Sequence, residues 1–169
     1  MRCFCLLLTL FVLGFTSCGK AQIRSSMFDS TVEKLLSGTV DTISVSGLKQ
    51  IAGQNEIVLL DSREKREFEV SHLEGAEWVG YTDFDLGSLT SIDTSATIVV
   101  YCSVGYRSEK VGEKLKEAGY SNVLNLYGGI FEWVNQNGEV YNSAGETKEV
   151  HGYDEKWSLF VQKGKVVLR

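Results

Sequence analysis

Two runs in this chain leave it little freedom in how to fold. EIVLLDS, residues 56–62, and TIVVYC, residues 97–102, are apolar at consecutive positions instead of alternating with polar ones. Side chains on a strand point to opposite faces, so such a run is stable only where both faces are covered, as in a parallel sheet. Each run leads through a short connection into a segment of helical period. REKREFEV follows the first. The second leads to a helix expected over about 107–118, with Val111, Leu115 and Ala118 on one face and Glu113, Lys114, Lys116 and Glu117 on the other. Strand, loop and helix in repetition predict an α/β fold of three layers, a mainly parallel sheet flanked by helices.

The other segments fit this pattern. ISVSGLKQIAG reads as a short strand and a capped helix. The helix after the first run closes on a glycine turn at Gly75 and a further short strand. SNVLNL is a third strand, Gly128 and Gly129 make a turn, and a helix carrying Phe131 and Trp133 follows. Upstream, Ser30 and Glu33 have capping-box spacing, Val32, Leu35 and Leu36 form an apolar stripe, and Gly38 can stop the helix; a short helix is expected in an otherwise polar stretch. In the tail, a polar break at 142–148 precedes Trp157, Leu159, Phe160 and Val161. This segment is expected as a helix and strand packed on the sheet edge, the alternative being a separate partner-binding segment. A chain of 169 residues with 43% hydrophobic content builds one core plus an appendage. A net charge of −5 with both signs interspersed provides no polybasic face for nucleic acid or for an anionic membrane surface.

The N-terminus, MRCFCLLLTLFVLGFTSCGK, has one basic residue, Arg2, an apolar run from about Phe4 to Phe15, and small residues before Cys18. That is the anatomy of a signal peptide, and the run is short for a membrane span. Its ending resembles a bacterial lipoprotein signal, although Phe15 stands where such signals usually carry Leu. The resemblance implies cleavage before Cys18, lipidation of that residue and a lipid anchor facing the periplasm from the bacterial cell envelope; plain secretion and an uncleaved anchor are the alternatives. The expected organisation is a signal peptide over 1–17, a tether with a short helix over 18–42, a domain over 43–138 and a C-terminal extension over 139–169 packed on it. Without Cys3 and Cys5, and with Cys18 acylated, Cys102 is the one mature thiol. One cysteine and two histidines supply neither a disulfide framework nor a zinc site, and no C-x-x-C exists for dithiol exchange. No metal or organic cofactor is expected.

Cys102 ends a strand at the mouth of a helix, where α/β proteins collect functional groups. The N–H groups of Ser103, Val104, Gly105, Tyr106, Arg107 and Ser108 precede the first intrahelical acceptors; in a curled loop they form an anion nest. The helix dipole and the Arg107 cation add positive potential, and together these favour a thiolate near neutral pH. Gly105 supplies the positive φ such a loop needs, Ser108 is a natural cap, and Tyr106 stands at the pocket mouth. The alternative is that Cys102 is a small hydrophobe ending a core strand.

At these residues the chain resembles the rhodanese family of sulfurtransferases. CSVGYRS is similar to that family's active-site loop, LLDSREKREFEVSHLEGAEWV to its Asp-x-Arg-Glu segment and His-turn, and NVLNLYGGIFEW to its Leu-x-Gly-Gly ending, together covering about 43–138 in the family's order. The resemblance implies that Cys102 takes a sulfane sulfur from a donor, holds it as a persulfide and passes it to an acceptor such as cyanide or a thiol, with the loop 103–108 binding the persulfide. Three departures are present: Ser103 and Val104 replace the cationic residues of thiosulfate-using relatives, Glu74 stands where Pro is usual, and no Leu-Pro ending follows Gly138. Thiosulfate is therefore expected to be a poorer donor than a less charged persulfide.

Asp61 and Arg63 are expected as supporting residues that orient Arg107 or the loop, Asp61 alternatively serving only its turn. His72 is expected to fix a turn, His151 to be exposed and uncommitted, and Trp78 and Tyr81 to be core or rim aromatics. The expected partners are a small sulfur donor and acceptor, with a protein partner on the C-terminal extension a further option. Two competing functions use the same features. A phosphatase or arsenate reductase would also hold an anion beside a cysteine; the rhodanese-fold phosphatases resemble this domain, but their loop has one more residue than the four between Cys102 and Arg107. A non-catalytic interaction or sulfur-sensing module would keep the fold without turnover.

Overall fold

The computed structural model describes residues 16–52 and 57–169, with side chains from residue 25 onward. The expected leader therefore lies outside the described residues apart from the backbone of 16 and 17, and the Cys18 side chain lies outside them too. In chain order the elements are α1 (Thr16–Leu35), β1 (Thr42–Ile43), α2 (Val45–Ala52), β2 (Ile57–Asp61), α3 (Lys65–Val70), β3 (Glu77–Trp78), a 3-10 turn (Leu86–Leu89), β4 (Thr97–Tyr101), α4 (Tyr106–Glu117), β5 (Asn122–Leu126), α5 (Gly129–Asn135), β6 (Val140–Asn142), β7 (Gly145–Thr147), β8 (Glu149–His151), α6 (Glu155–Ser158) and β9 (Lys165–Val167). The first five strands form one sheet in the order β1-β5-β4-β2-β3, with parallel pairing throughout.

The central strand shows why continuous apolar runs were required. On β4, Val99 and Tyr101 join a cluster with Phe28 and Val32 of α1, Leu48 of α2 and Phe131 of α5. Ile98 and Val100 point to the opposite face and pack with Val111 and Leu115 of α4. All four strand side chains are buried. The three-layer reading of the sequence therefore holds, with α1, α2 and α5 on one face and α4 on the other. Ser44 Oγ accepts the Gly47 N–H at 3.0 Å, the cap expected for α2. Among the described residues no helix is long and apolar enough to cross a membrane.

Four expectations change. The first helix does not start at Ser30: it is already formed at Thr16, and the Ser30 hydroxyl donates to Met27 O within it. Phe28 and Val32 are buried, so this segment belongs to the core. Ala118 is exposed: α4 ends at Glu117, and Ala118 is its C-cap and not part of the buried face. The polar break at 142–148 holds the turn and the second strand of the antiparallel pair β6–β7, because Asn142 and Gly145 supply a tight turn. The tail does not extend the edge of the main sheet: β9 pairs in parallel with β8, and α6 between them brings Trp157 to 5.8 Å from Phe160 and Phe160 to 5.3 Å from Phe28. The expected helix and strand are thus present as α6 and β9, and the tail shares the core of α1.

Candidate functional site

The main chain around Cys102 is held from two sides. From behind, the N–H groups at the start of α5 clamp it, Ile130 donating to Cys102 O at 2.9 Å and Phe131 to Ser103 O at 3.2 Å. Gly129, at φ +54, makes that approach feasible, since a Cβ there would lie 2.7 Å from the Ser103 carbonyl carbon and closer still to Cys102 O. From in front the loop curls through Gly105 at φ +117 into α4. Gly105 N–H points at Cys102 Sγ, 3.1 Å away. Its carbonyl accepts from Asn125 Nδ2 at 3.0 Å and from Glu109 N–H at 3.0 Å.

Ser108 was expected as the cap of this helix; Gly105 takes that position, and the Ser108 hydroxyl instead lies 2.7 Å from Asn125 Oδ1 and 3.0 Å from Gly105 O. Burial disfavours a thiolate at Cys102, but the Arg107 charge, the Ser108 hydroxyl and N–H and the Gly105 N–H outweigh it and hold the thiol below its ordinary range. Among the described residues Cys102 is a free, buried cysteine.

Arg107 is oriented by a residue the sequence reading did not single out. Glu67 of α3 takes both prongs of the guanidinium, at 2.7 and 2.9 Å, and also accepts from Ser103 Oγ at 3.0 Å. Burial would raise the Glu67 carboxyl, yet Arg107 prevails and pushes it down to about 2. No local signal separates Glu67 from its charged neighbours in REKREFE; only its reach to Arg107 does. Asp61 and Arg63, expected to support Arg107, do not touch it. They form their own fully buried pair, Arg63 Nε lying 3.0 Å from Asp61 Oδ1 and Nη2 donating to Asp61 Oδ2 and to Ser71 O.

Sγ opens onto a pocket of about 120 Å³, bordered on the loop side by Cys102, Ser103, Val104, Tyr106 and Arg107. Its other walls are Leu35 of α1 and Tyr153 and Trp157 of the tail, with the Arg107 guanidinium 5.1 Å from the centre of the Tyr153 ring. His151 is buried, contrary to expectation: its Nδ1 accepts the Tyr153 N–H at 3.0 Å, and desolvation lowers its pKa. His72 stacks on Phe68 and its backbone pairs with Tyr141, which fixes the turn as expected. Trp78 donates to Arg63 O and Tyr81 packs on the second core cluster. Among the described residues no His, Cys, Asp and Glu cluster could hold a metal ion.

Comparison with known proteins follows the same contour. A family described as the rhodanese-like domain matches residues 44–136. The chain is similar to the probable adenylyltransferase/sulfurtransferase MoeZ of Mycobacterium tuberculosis, 32% identical over 82 residues that make up 48% of this chain and 21% of that protein. It is also similar to the tRNA uridine(34) hydroxylase of Listeria monocytogenes, 31% identical over 121 residues, 66% of this chain and 36% of that one. The chain therefore spans about a fifth to a third of the length of these two relatives. Among solved structures, a Bacillus halodurans protein superposes with a TM-score of 0.56 at 22% identity, covering 75% of this chain and 88% of that chain. The rhodanese-like domain of an Anabaena protein gives 0.55 at 23% identity, covering 60% and 78%.

Proposed function

The chain belongs to the rhodanese-like domain family, and from that premise we propose that it is a sulfurtransferase working through a persulfide on Cys102. The observation that carries the reading is a lone thiol at the floor of a pocket, with Gly105 N–H directed at its sulfur and a pKa held below the ordinary cysteine value. The Cys102 thiolate attacks the sulfane sulfur of thiosulfate or of a persulfide and forms an S–S bond, while sulfite or a thiol departs with the electron pair of the broken bond. The terminal sulfur of the resulting persulfide anion replaces the thiolate as the group facing Gly105 N–H and Ser108. An acceptor such as cyanide then takes that sulfur and restores the thiolate. The cycle calls for no metal or organic cofactor, and the acceptor comes from outside, as a single cysteine requires. The sulfurtransferase in the name of the mycobacterial relative supports the assignment.

We assign Cys18 as a lipidation site that holds the protein to the bacterial cell envelope on its periplasmic side. A Cys18→Ala variant is expected to leave the membrane fraction, and unchanged partitioning overturns that assignment. For the reaction itself, the test is peptide mass mapping of the full-length protein after exposure to thiosulfate or a small persulfide and then to cyanide. The Cys102 peptide is expected to gain one sulfur and lose it as thiocyanate appears, with no gain in Cys102→Ser. If no donor loads Cys102, the transferase reading fails and the non-catalytic module replaces it.

A further inference from the structure

The pocket over Cys102 is completed from outside the region that matches the family. Cys102, Ser103, Val104, Tyr106 and Arg107 lie within 44–136, but Leu35 precedes that region and Tyr153 and Trp157 follow it. These three side chains are apolar or aromatic, and each is anchored. Leu35 ends α1, and the next turn is tied to α4 by Glu109, whose carboxylate accepts the N–H groups of Ser37, Gly38 and Thr39. Trp157 N–H is capped by Asp154 at 2.8 Å, and its ring joins the Phe160–Phe28 contact that binds the tail to α1. Tyr153 holds a positive φ of 66°, its N–H on His151 Nδ1 and its ring against Arg107. A wall fixed in this way presents a preformed apolar surface beside the sulfur.

The charge of the pocket points the same way. Arg107 is the only charged side chain lining it among the described residues, and its guanidinium is already engaged by both oxygens of Glu67, by Ser103 Oγ at 2.9 Å and by the Tyr153 ring. The pair is neutral overall, so a dianion entering the pocket would shed water without gaining an unpaired cation. An organic group meets no such obstacle. An apolar cavity of about 150 Å³ takes a benzene ring, so the volume of about 120 Å³ here suits a short alkyl chain or a small ring lying partly in the mouth.

We propose that this pocket selects a small organic persulfide as sulfur donor, its alkyl or aryl substituent lying against Leu35, Tyr153 and Trp157, in preference to thiosulfate. The inference rests on the sulfur-transfer reading and specifies its substrate class. In the step, Cys102 Sγ as thiolate bonds to the outer sulfur of R–S–SH. The bond between the two donor sulfurs breaks, its electron pair stays on the inner sulfur, and that sulfur takes the proton and leaves as R–SH. The products are R–SH and the Cys102 persulfide anion; the sulfane sulfur crosses without a change in oxidation level, so no oxidant or reductant takes part.

The test measures rates of sulfur loading on Cys102 in the full-length protein, with benzyl hydropersulfide and with thiosulfate, each divided by the rate of a free small thiol with the same donor. The normalised ratio is expected to favour the benzyl donor by about tenfold or more, to fall by about tenfold in Trp157→Ala and in Tyr153→Ala, and to be kept in Trp157→Phe. A wall with only a structural role would lower both rates alike and leave the ratio where it was, which overturns the inference, as does a ratio that favours thiosulfate. If neither donor loads Cys102, the sulfur-transfer reading itself falls, an outcome distinct from loading without preference.

Discussion

Cys102 has an arginine–carboxylate pair on either side of its strand end, and the two differ in what surrounds them. Behind the strand, Arg63 and Asp61 are completely buried and face other protein groups, including Ser71 O and the Tyr101 ring. In front, Glu67 is buried but Arg107 keeps 12% of its side chain exposed and borders the pocket. The same chemistry thus serves two purposes. The rear pair has no access to a substrate; it ties the end of β2 to the turn after α3 and so shapes the platform from which the loop departs. The front pair sets the charge that an entering molecule meets.

Breaking the rear pair should have the largest effect on stability. Arg63→Met removes the buried partner of the Asp61 carboxyl and is expected to cost about 3–5 kcal/mol, read as a shift in the urea midpoint; the double variant Asp61→Leu/Arg63→Met should recover most of that loss. Gly129→Ala attacks the rear clamp differently, by forcing a side chain onto a positive φ and against Cys102 O. It is expected to cost about 2–3 kcal/mol and to slow alkylation of Cys102. An unshifted midpoint would show that the α5 clamp is slack.

The front pair is tested by Glu67→Gln. Its stability cost is expected to be smaller, about 1–3 kcal/mol, but it frees the charge on Arg107. The Cys102 thiolate should then titrate at lower pH, followed by its ultraviolet absorbance, and thiosulfate should become a relatively better donor. The pH dependence of stability follows from the shift at Glu67. Its folded pKa of about 2 lies below the unfolded 4.5, so the unfolded chain binds the proton first and stability is lost as pH falls from about 4.5 towards 2. That loss should be muted in Glu67→Gln. The smallest effect belongs to His151. Its folded pKa is depressed by burial below 6.5, so the unfolded chain again binds more protons and stability should decline as pH drops below about 6.5. His151→Leu should flatten that slope.

The parts legible in the sequence were those with a local cause. Continuous apolar runs gave away β2 and β4, and Cys102, Gly105 and Arg107 stand close enough along the chain for their joint meaning to be read. Glu67 was hidden because the six charges in REKREFE look alike until α3 docks and one of them faces Arg107. Asp61 and Arg63 were visible as charged residues beside a strand, yet nothing local indicates that they pair with each other. His151 reads as a surface residue because its burial depends on β9 pairing with β8, whose partners are separated by a helix. The burial of Phe28 and Val32 and the part played by Trp157 have a similar origin, since both follow from a core that joins α1 to the tail.

The size of the pocket carries a kinetic consequence for the proposed transfer. Donor and acceptor both react at one sulfur on the floor of a pocket of about 120 Å³, so each turnover runs as two half-reactions through the same mouth. Initial rates at several fixed donor concentrations should give parallel double-reciprocal lines, and an excess of acceptor should slow the reaction by occupying the unloaded enzyme. The departing thiol would compete for the same space. Throughput is then governed by the order in which molecules reach Cys102, and the ratio of donor to acceptor in the surroundings becomes a control on the flow of sulfur.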